Sequence, residues 1–332
     1  MSILKLAMVG DPHLAINVSI PAGRHPETFY QEQRDKLAFI KQFCKDNGIQ
    51  GLVLPGDILN YKTPTLYTAV AINSLMKELA DLHSVVPLYS ISGNHDIKFS
   101  SRDLKDESVY NIFVRGSVLE DIHNKSLSLS DNVTISGLDY TPNKEQLMQE
   151  ITDLNNRLNS ENINILVVHE HLLPDGESIP FSPYFNYKEF LKFTNIHVIM
   201  AGHLHKGFPT MTILRQELGA RPMVFVNPWS LTRLSRDNYA LDASHKPEIV
   251  TLTIYTDTSF IEYQHTTIPH KSPDEAFIKD SLVDESEQNL DISEFVSQLT
   301  NMDTSAEADF DLSEKSEKVK EKIQYYIELS EK

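Results

Sequence analysis

Ser92-Gly93-Asn94-His95-Asp96 places an amide, an imidazole and a carboxylate on three consecutive residues directly after the apolar run Val85 to Ile91. The run carries β-branched and aromatic residues and stops at a glycine. That pattern predicts a buried strand whose carboxyl end delivers the three polar side chains into a crevice. By itself, Gly-Asn-His-Asp reads equally well as a turn, since Gly and Asn tolerate positive φ and Asp caps. Four further clusters weigh against the turn. Asp11-Pro12-His13 follows Leu4 to Val9, Gly56-Asp57 follows Gly51 to Leu54, His169 follows Ile163 to Val168, and Gly202-His203-Leu204-His205 follows Ile196 to Ala201. Every polar cluster sits just after an apolar, strand-like run.

In this order the five clusters resemble the signature of the calcineurin-like metallophosphoesterases: Asp-x-His, Gly-Asp, Gly-Asn-His-Asp, His and Gly-His-x-His, spanning residues 11 to 205. The resemblance implies an α/β fold, a two-sheet sandwich flanked by helices. It also implies that Asp11, His13, Asp57 and His205 hold one divalent ion and that Asp57, Asn94, His169 and His203 hold a second; His171, two residues after His169, is the alternative ligand if that strand ends later. Two such ions roughly 3.5 to 4 Å apart can supply the nucleophile, clamp the substrate oxygens and spread the charge that develops on a phosphoester. Asp57 is the natural bridge, because a carboxylate has two oxygens and offsets two dications. Mixed nitrogen and oxygen donors without thiolate suit Mn, Fe or Zn in an open site, not a closed structural zinc. The resemblance favours Mn, with Mg a weaker substitute. It also makes His95 the non-ligand imidazole that stabilises the transition state and protonates the leaving oxygen, with Asp96 orienting it.

A length of 332 residues allows one large domain or two, and 40% apolar residues suffice for an ordinary core. The single Cys44 excludes an internal disulfide and fits a reducing compartment. Its neighbours Leu37, Ile40 and Phe43 place it on the core face of a helix. Met1 to Val9 is too short for a signal segment, and no apolar stretch approaches membrane-spanning length. The expectation is a soluble, cytoplasmic protein of a bacterial or phage-infected cell. A net charge of −17 argues against coating nucleic acid by bulk charge. Residues 271 to 332 hold 17 acidic and 7 basic side chains, however, a net of −10 that leaves −7 for residues 1 to 270. Bound dications would reverse the local field at the site, so acidity does not exclude a phosphodiester substrate.

Along the chain, Ala15 to Pro26 reads as a loop over the crevice. A helix starts at Thr28 with Gln31 as a capping box and ends at Gly48, and a second starts with Thr63 as N-cap and Pro64 at N1. Residues 3 to 91 then form a βαβαβ unit with parallel strands. Val118 to Ser136 reads as antiparallel strands of a second sheet, and Thr141-Pro142 opens a helix to about Asn159. Met223 to Val226, Glu248 to Tyr255 and Phe260 to Thr267 complete that second sheet. His83, His123, His197, His245, His265 and His270 fit no motif and read as packing or surface residues.

Within the superfamily, Gly137-Leu138-Asp139-Tyr140 resembles the Gly-Leu-x-Tyr strand of the SbcD-type nuclease subunits. Asn227-Pro228-Trp229-Ser230-Leu231-Thr232-Arg233 resembles their Pro-Gly-Ser-Leu-x-Arg segment, with Trp229 in place of Gly. These subunits process DNA double-strand breaks with an SMC-like ATPase, usually as homodimers, and the short chain is most similar to phage-encoded members. Two departures stand out: Asn60 occupies a position that is often His or Asp, and the large capping domain of cellular members is reduced. Arg24, Lys62, Lys98, Arg102, Lys206 and Arg233 adjoin motifs and are candidates to meet substrate phosphates. The rival readings are a cyclic-nucleotide phosphodiesterase or a phosphatase, although phosphatases usually carry Asp-Arg-Gly and Gly-Asn-His-Glu, and a degenerate scaffold, which the full set of ligands disfavours.

The expected division is a nuclease domain over 1–268 and an acidic helical tail over 269–332. Ser272-Pro273-Asp274-Glu275 is a capping box with Pro at N1. Ile292, Phe295, Val296 and Leu299 trace one apolar face, and Val319, Ile323, Tyr326 and Ile327 trace another. The resemblance implies that these faces dock on the ATPase partner; the alternative is that they pack on the catalytic domain.

Overall fold

In the computed structural model the residues described are 2–21, 23–62, 64–179, 183–215, 221–234 and 245–278. The apolar tail faces at Ile292 to Leu299 and Val319 to Ile327 lie outside them. Strands β1 (Ile3–Val9), β2 (Gly51–Leu54), β3 (Leu88–Ser90) and β4 (Glu120–Asp121) run parallel in one sheet. Two antiparallel strands, β13 (Glu248–Tyr255) and β14 (Phe260–Thr267), extend it beyond β1. The second sheet is built on four parallel strands, β6 (Val133–Leu138), β7 (Ile163–His169), β10 (Val198–Gly202) and β12 (Met223–Asn227). Antiparallel β5 (Ser126–Ser130) and β11 (Phe208–Ile213) close its two edges. A separate two-stranded ribbon pairs β8 (Leu172–Leu173) with β9 (Phe185–Asn186).

The strand alternation explains why the sheets stack. Along β1, Leu4, Leu6 and Met8 enter the core between the sheets, while Ala7 and Val9 face the helices. On β10, Val198 and Met200 point inward and Ile199 and Ala201 outward. Because both faces of the parallel strands are covered, they read as continuous apolar runs and not as alternating ones. Helices α1 (Pro26–Asn47), α2 (Ala69–His83) and α3 (Val109–Arg115) cover the first sheet, and α4 (Lys144–Arg157) covers the second through Leu147, Ile151 and Leu154. Each such fully buried side chain contributes about 1.5–3 kcal/mol. This is the expected sandwich of two sheets between helical layers.

Several boundaries differ from the sequence expectation. Helix α1 begins at Pro26 after His25, earlier than a Thr28 cap allows, although it ends as expected at a left-handed Gly48 (φ 62°). Pro64–Leu66 is only a 3₁₀ turn, and α2 starts later, where the Thr68 hydroxyl accepts from Ala71 N–H. Asn143 caps α4 in place of Thr141. Strands β13 and β14 join the first sheet and not the second, and β4 adds a parallel strand to the first. Ser272 and Glu275 do form the capping box, on the short helix α5 (Pro273–Ala276).

Beneath the loop that follows β1 lies a buried charge cluster. Glu32 of α1 accepts from Lys36 Nζ at 2.8 Å and from the Arg24 guanidinium, and Lys36 also donates to the Leu231 carbonyl at 2.8 Å. Although burial favours the neutral acid, Lys36 and Arg24 hold Glu32 below the usual carboxylate range. Cys44, farther along the same helix, is pushed up to about 12 by burial and is an inert core thiol. Glu32→Ala would leave two buried cations uncompensated. The expected loss is about 3–5 kcal/mol, read as a lower denaturant midpoint with an unchanged slope.

Candidate metal centre

All five polar clusters come together at the carboxyl ends of the parallel strands, where an open α/β sheet places its crevice. Asp11 follows β1, Asp57 follows β2, His95 and its neighbours follow β3, His169 closes β7, and His203 follows β10. Two ligand groups result, one of Asp11, His13, Asp57 and His205 and one of Asp57, His169 and His203, with the donor atoms inside each group within 4.8 Å of one another. Asp57 is common to both.

Local backbone geometry aims these side chains. His13, Asp57 and His203 have left-handed φ values of 44°, 48° and 77°, an arrangement non-glycine residues adopt at some cost and mostly at functional sites. It is held by backbone bonds: His13 N–H donates to Asp57 O at 2.8 Å, and His203 N–H donates to the Asp11 carboxylate at 2.9 Å. Asp57 Oδ1 in turn accepts from His95 N–H at 2.7 Å. Gly93 is the residue this crowding demands, since a Cβ there would stand 2.2 Å from Asp57 Oδ1 and 2.8 Å from His169 Cε1.

The donor set fits a pair of dications. His13 Nε2 faces His205 Nε2 at 2.9 Å, with Asp57 Oδ2 3.6 Å from the first and Asp11 Oδ2 3.6 Å from the second. His169 Nδ1 donates to the Pro55 carbonyl at 2.8 Å, which turns its Nε2 toward Asp57 Oδ1 at 3.3 Å. The Asn94 amide atom that faces inward lies 3.2 Å from Asp57 Oδ2, 3.1 Å from His169 Nε2 and 3.1 Å from His203 Nδ1. Protein alone is best satisfied by an NH₂ in that place, whereas a cation requires the amide oxygen there, so the Asn94 amide stands where it could join the second group. Convergent acceptors of this kind need positive charge at their centre.

Electrostatics points the same way. Burial disfavours imidazolium at His169, yet the Asp57 and Asp11 carboxylates outweigh it and push the ring up to about 10. Burial drives Asp11 up to about 7, with His169 opposing and Asp57 reinforcing. Asp57 is held well below the usual range by His169 and His13 in spite of burial. The imidazoles of His13 and His203 are kept neutral, chiefly by burial, which leaves them as lone-pair donors. When bound, two divalent ions would supply Lewis acidity and an activated water.

His95 belongs to neither ligand group. Its Nδ1 donates to the Asn60 carbonyl at 2.7 Å, and its ring stands edge-on to His13 with centroids 5.0 Å apart. This corrects the expectation that Asp96 orients it. Asp96 instead accepts from Ile58 N–H at 3.2 Å, Leu59 N–H at 2.9 Å and Gly93 N–H at 2.9 Å, so its oxygens are spent on tying the Asp57 turn to the Asn94 loop. Burial and the nearby Asp57 charge push Asp96 up to about 7. His171, the alternative ligand, stacks on His203 at 3.9 Å and lies outside both groups.

Three of the candidate phosphate contacts are structural. Arg24 is buried, paired with Glu32 and sandwiched between Phe29 and Phe277, at 5.0 and 5.1 Å from their centroids. Arg102 forks onto Glu150 at 2.7 and 2.8 Å and donates to the Tyr140 carbonyl. Arg233 is buried and donates to the His245 carbonyl at 3.1 Å. Lys62, by contrast, stands 3.2 Å from the outward atom of the Asn94 amide, Lys98 lies close by on the following loop, and Lys206 is exposed beside His205.

Supporting residues that motif spacing does not reveal hold the ligands in place. Gln33 of α1 accepts from Ala15 N–H and donates to the His13 carbonyl, each at 3.0 Å. Asp139 accepts from Ser92 N–H at 2.8 Å and from Lys105 Nζ at 2.6 Å. The Asn227–Arg233 segment staples two ligand loops together: Ser230 N–H donates to the His205 carbonyl and Leu231 N–H to the Asp11 carbonyl, both at 3.0 Å. Gly10 leaves room for it, since a Cβ there would meet the Trp229 carbonyl at 2.3 Å.

The chain belongs to the calcineurin-like phosphoesterase family, whose model matches residues 4–207. Membership implies metal-dependent phosphoester hydrolysis, and the buried Asp/His cluster is one that could hold two ions. Among solved structures it is similar to a dimetal phosphatase from Danio rerio, at 13% identity and a TM-score of 0.50 over 81% of this chain and 99% of that one. It is also similar to a 5′-nucleotidase precursor from Thermus thermophilus, at 13% identity and a TM-score of 0.46 over 91% of this chain. The chain spans about three fifths (60%) of the nucleotidase's length. At such identity the likeness to the phosphatase concerns the fold alone. No curated protein matches the chain. No helix among the described residues is long and apolar enough to cross a membrane.

Elemental analysis and kinetics separate the roles of the site residues. Asp57→Ala is expected to lose bound metal and activity together. His95→Ala should retain both ions while kcat falls by about 10²- to 10⁴-fold. Asp96→Ala should weaken metal affinity by about 10- to 100-fold by releasing the turn that carries Asp57.

Proposed function

We propose that the chain is a Mn-dependent DNA nuclease that hydrolyses phosphodiester bonds, the nuclease subunit of an SbcCD-like complex acting in DNA end processing. The observation that carries this reading is where its nuclease-like segment lies. Gly137-Leu138-Asp139-Tyr140 runs along the ligand loops, with the Tyr140 ring 5.3 Å from that of His203 and Asp139 bonded to Ser92. The second resembling segment, Asn227–Arg233, holds the Asp11 and His205 loops. Both segments therefore adjoin the chemistry. His95, with Nδ1 engaged by Asn60, presents Nε2 to protonate the leaving oxygen, and Lys62 and Lys98 meet the adjoining phosphates.

The partner in this reading is an SMC-like ATPase docked on the apolar faces of the tail, residues 269–332, with a homodimer as the working unit and the cytoplasm as its location. The deciding assay compares Mn-dependent hydrolysis of linear duplex and single-stranded DNA with that of cyclic nucleotides and simple phosphomonoesters. Release of nucleotides from DNA is expected. Turnover confined to cyclic nucleotides or monoesters would replace this reading with a small-molecule phosphodiesterase or phosphatase. Truncation after residue 283 should leave cleavage of short single strands intact while abolishing ATPase binding and ATP-stimulated degradation of duplex. Undiminished co-purification of the truncated chain with that ATPase would refute the role of the tail.

A further inference from the structure

Six residues after Gly93, the loop carries an aromatic side chain that the metal centre does not use. Phe99 is 79% exposed, although most of the other described phenylalanines are buried. Its backbone is left-handed (φ 53°, ψ 21°), and that of Ser100 is left-handed as well (φ 54°). Two consecutive non-glycine residues in this region are costly and persist only where surrounding bonds impose them. Here Ser100 N–H donates to the Ile97 carbonyl at 3.2 Å, Ser101 N–H to the Lys98 carbonyl at 3.1 Å, and the Ser100 hydroxyl to the Asn94 carbonyl at 3.3 Å. The loop is therefore bonded directly to a candidate metal ligand, and it holds the ring out in water.

The group that stands against the ring is a cation. Lys98 Nζ lies 5.2 Å from the Phe99 centroid, and no other ring of the described residues contacts it. Lys62 Nζ is 3.5 Å from the Ser100 hydroxyl and 3.2 Å from the Asn94 amide. In sequence the ring is flanked by Lys98, Ser100 and Ser101, while Arg102, the next residue, is spent on Glu150. A protein-docking hot spot is expected in an apolar, well-packed neighbourhood. A lone exposed ring among ammonium groups, next to a phosphoester site, matches the way single strands are held, with bases stacked on aromatic faces and cations along the backbone.

We propose that Phe99 is the stacking platform for the nucleobase adjoining the scissile phosphate, with Lys62 and Lys98 on the flanking phosphates, so that the site prefers base-bearing single-stranded or frayed ends. This rests on the reading of the chain as a nuclease. Any base presents a π-face, so the contact confers affinity without sequence preference.

The test uses the full chain loaded with Mn, and compares wild type, Phe99→Ala and Phe99→Trp on a short single-stranded oligonucleotide and on the same strand with abasic sites flanking the cleaved bond. Phe99→Ala is expected to raise KM for the normal strand on the order of tenfold at unchanged kcat, as loss of one stack implies. Phe99→Trp should restore KM, and the abasic strand should not distinguish the variants. Indole emission gained in Phe99→Trp should be quenched by the normal strand and not by the abasic one. Equal KM for Phe99→Ala and wild type on the normal strand would overturn the proposal, as would equal losses on both strands, or a change of oligomeric state in Phe99→Ala with KM unmoved. If wild type hydrolyses small phosphoesters and no oligonucleotide, the nuclease reading itself fails and the platform with it.

Discussion

The carboxylate of Asp57 is the constraint around which the centre is arranged. It belongs to both ligand groups, its Oδ1 is 3.3 Å from His169 Nε2 and accepts from His95 N–H, and its Oδ2 is 3.6 Å from His13 Nε2. To put it there the backbone turns left-handed at the end of β2, and Gly93 gives up its side chain. Asp96 then ties the loops after β2 and β3 together through three backbone N–H groups. The crowding is electrostatically unfavourable without positive charge: burial disfavours imidazolium at His169, yet the Asp57 and Asp11 carboxylates push the ring up to about 10. A buried acidic bridge of this kind favours binding cations over filling the crevice with apolar groups.

Much of this was legible in the sequence because the ligands come as short polar clusters after apolar runs, and strand ends are where an α/β sheet opens a crevice. The Asp and His side chains expected at the centre do lie together, and the parallel β1–β3 unit follows from local periodicity. What was not legible depends on contacts made across the chain. Nothing in the residues near Glu248 says that β13 pairs with β1, because antiparallel and parallel neighbours present similar apolar runs. Arg24 and Arg102 look like phosphate contacts from their place beside motifs, and only the fold brings them Glu32 and Glu150. The role expected of Asp96 falls instead to a backbone carbonyl, that of Asn60, and main-chain acceptors leave no mark on residue identity.

Asn60 itself shows how side chain and position can be separated. Its side-chain type departs from the acidic or imidazole residue often found there in relatives, while its carbonyl fixes the tautomer of His95 and directs Nε2 as the available nitrogen. Any residue with the same backbone path could supply that carbonyl, so the orientation of the His95 ring does not depend on the side chain at position 60. Trp229 is a parallel case: the segment that resembles Pro-Gly-Ser-Leu-x-Arg uses its main chain against Gly10, Asp11 and His205, and its side chain packs edge-on against His245.

The ligands are drawn from distant parts of the chain, and the opposing nitrogens of His13 and His205 are separated by 192 residues. No short fragment contains a complete group, since each needs loops from both sheets to be in register. Local segments formed early in folding thus have nothing with which to compete for ions, and affinity arises only when the sheets have met, late in a search dominated by long-range pairings. Metal uptake by such a centre would report finished folding, and an ion held there would act as a clasp across the sandwich that opposes its separation into halves.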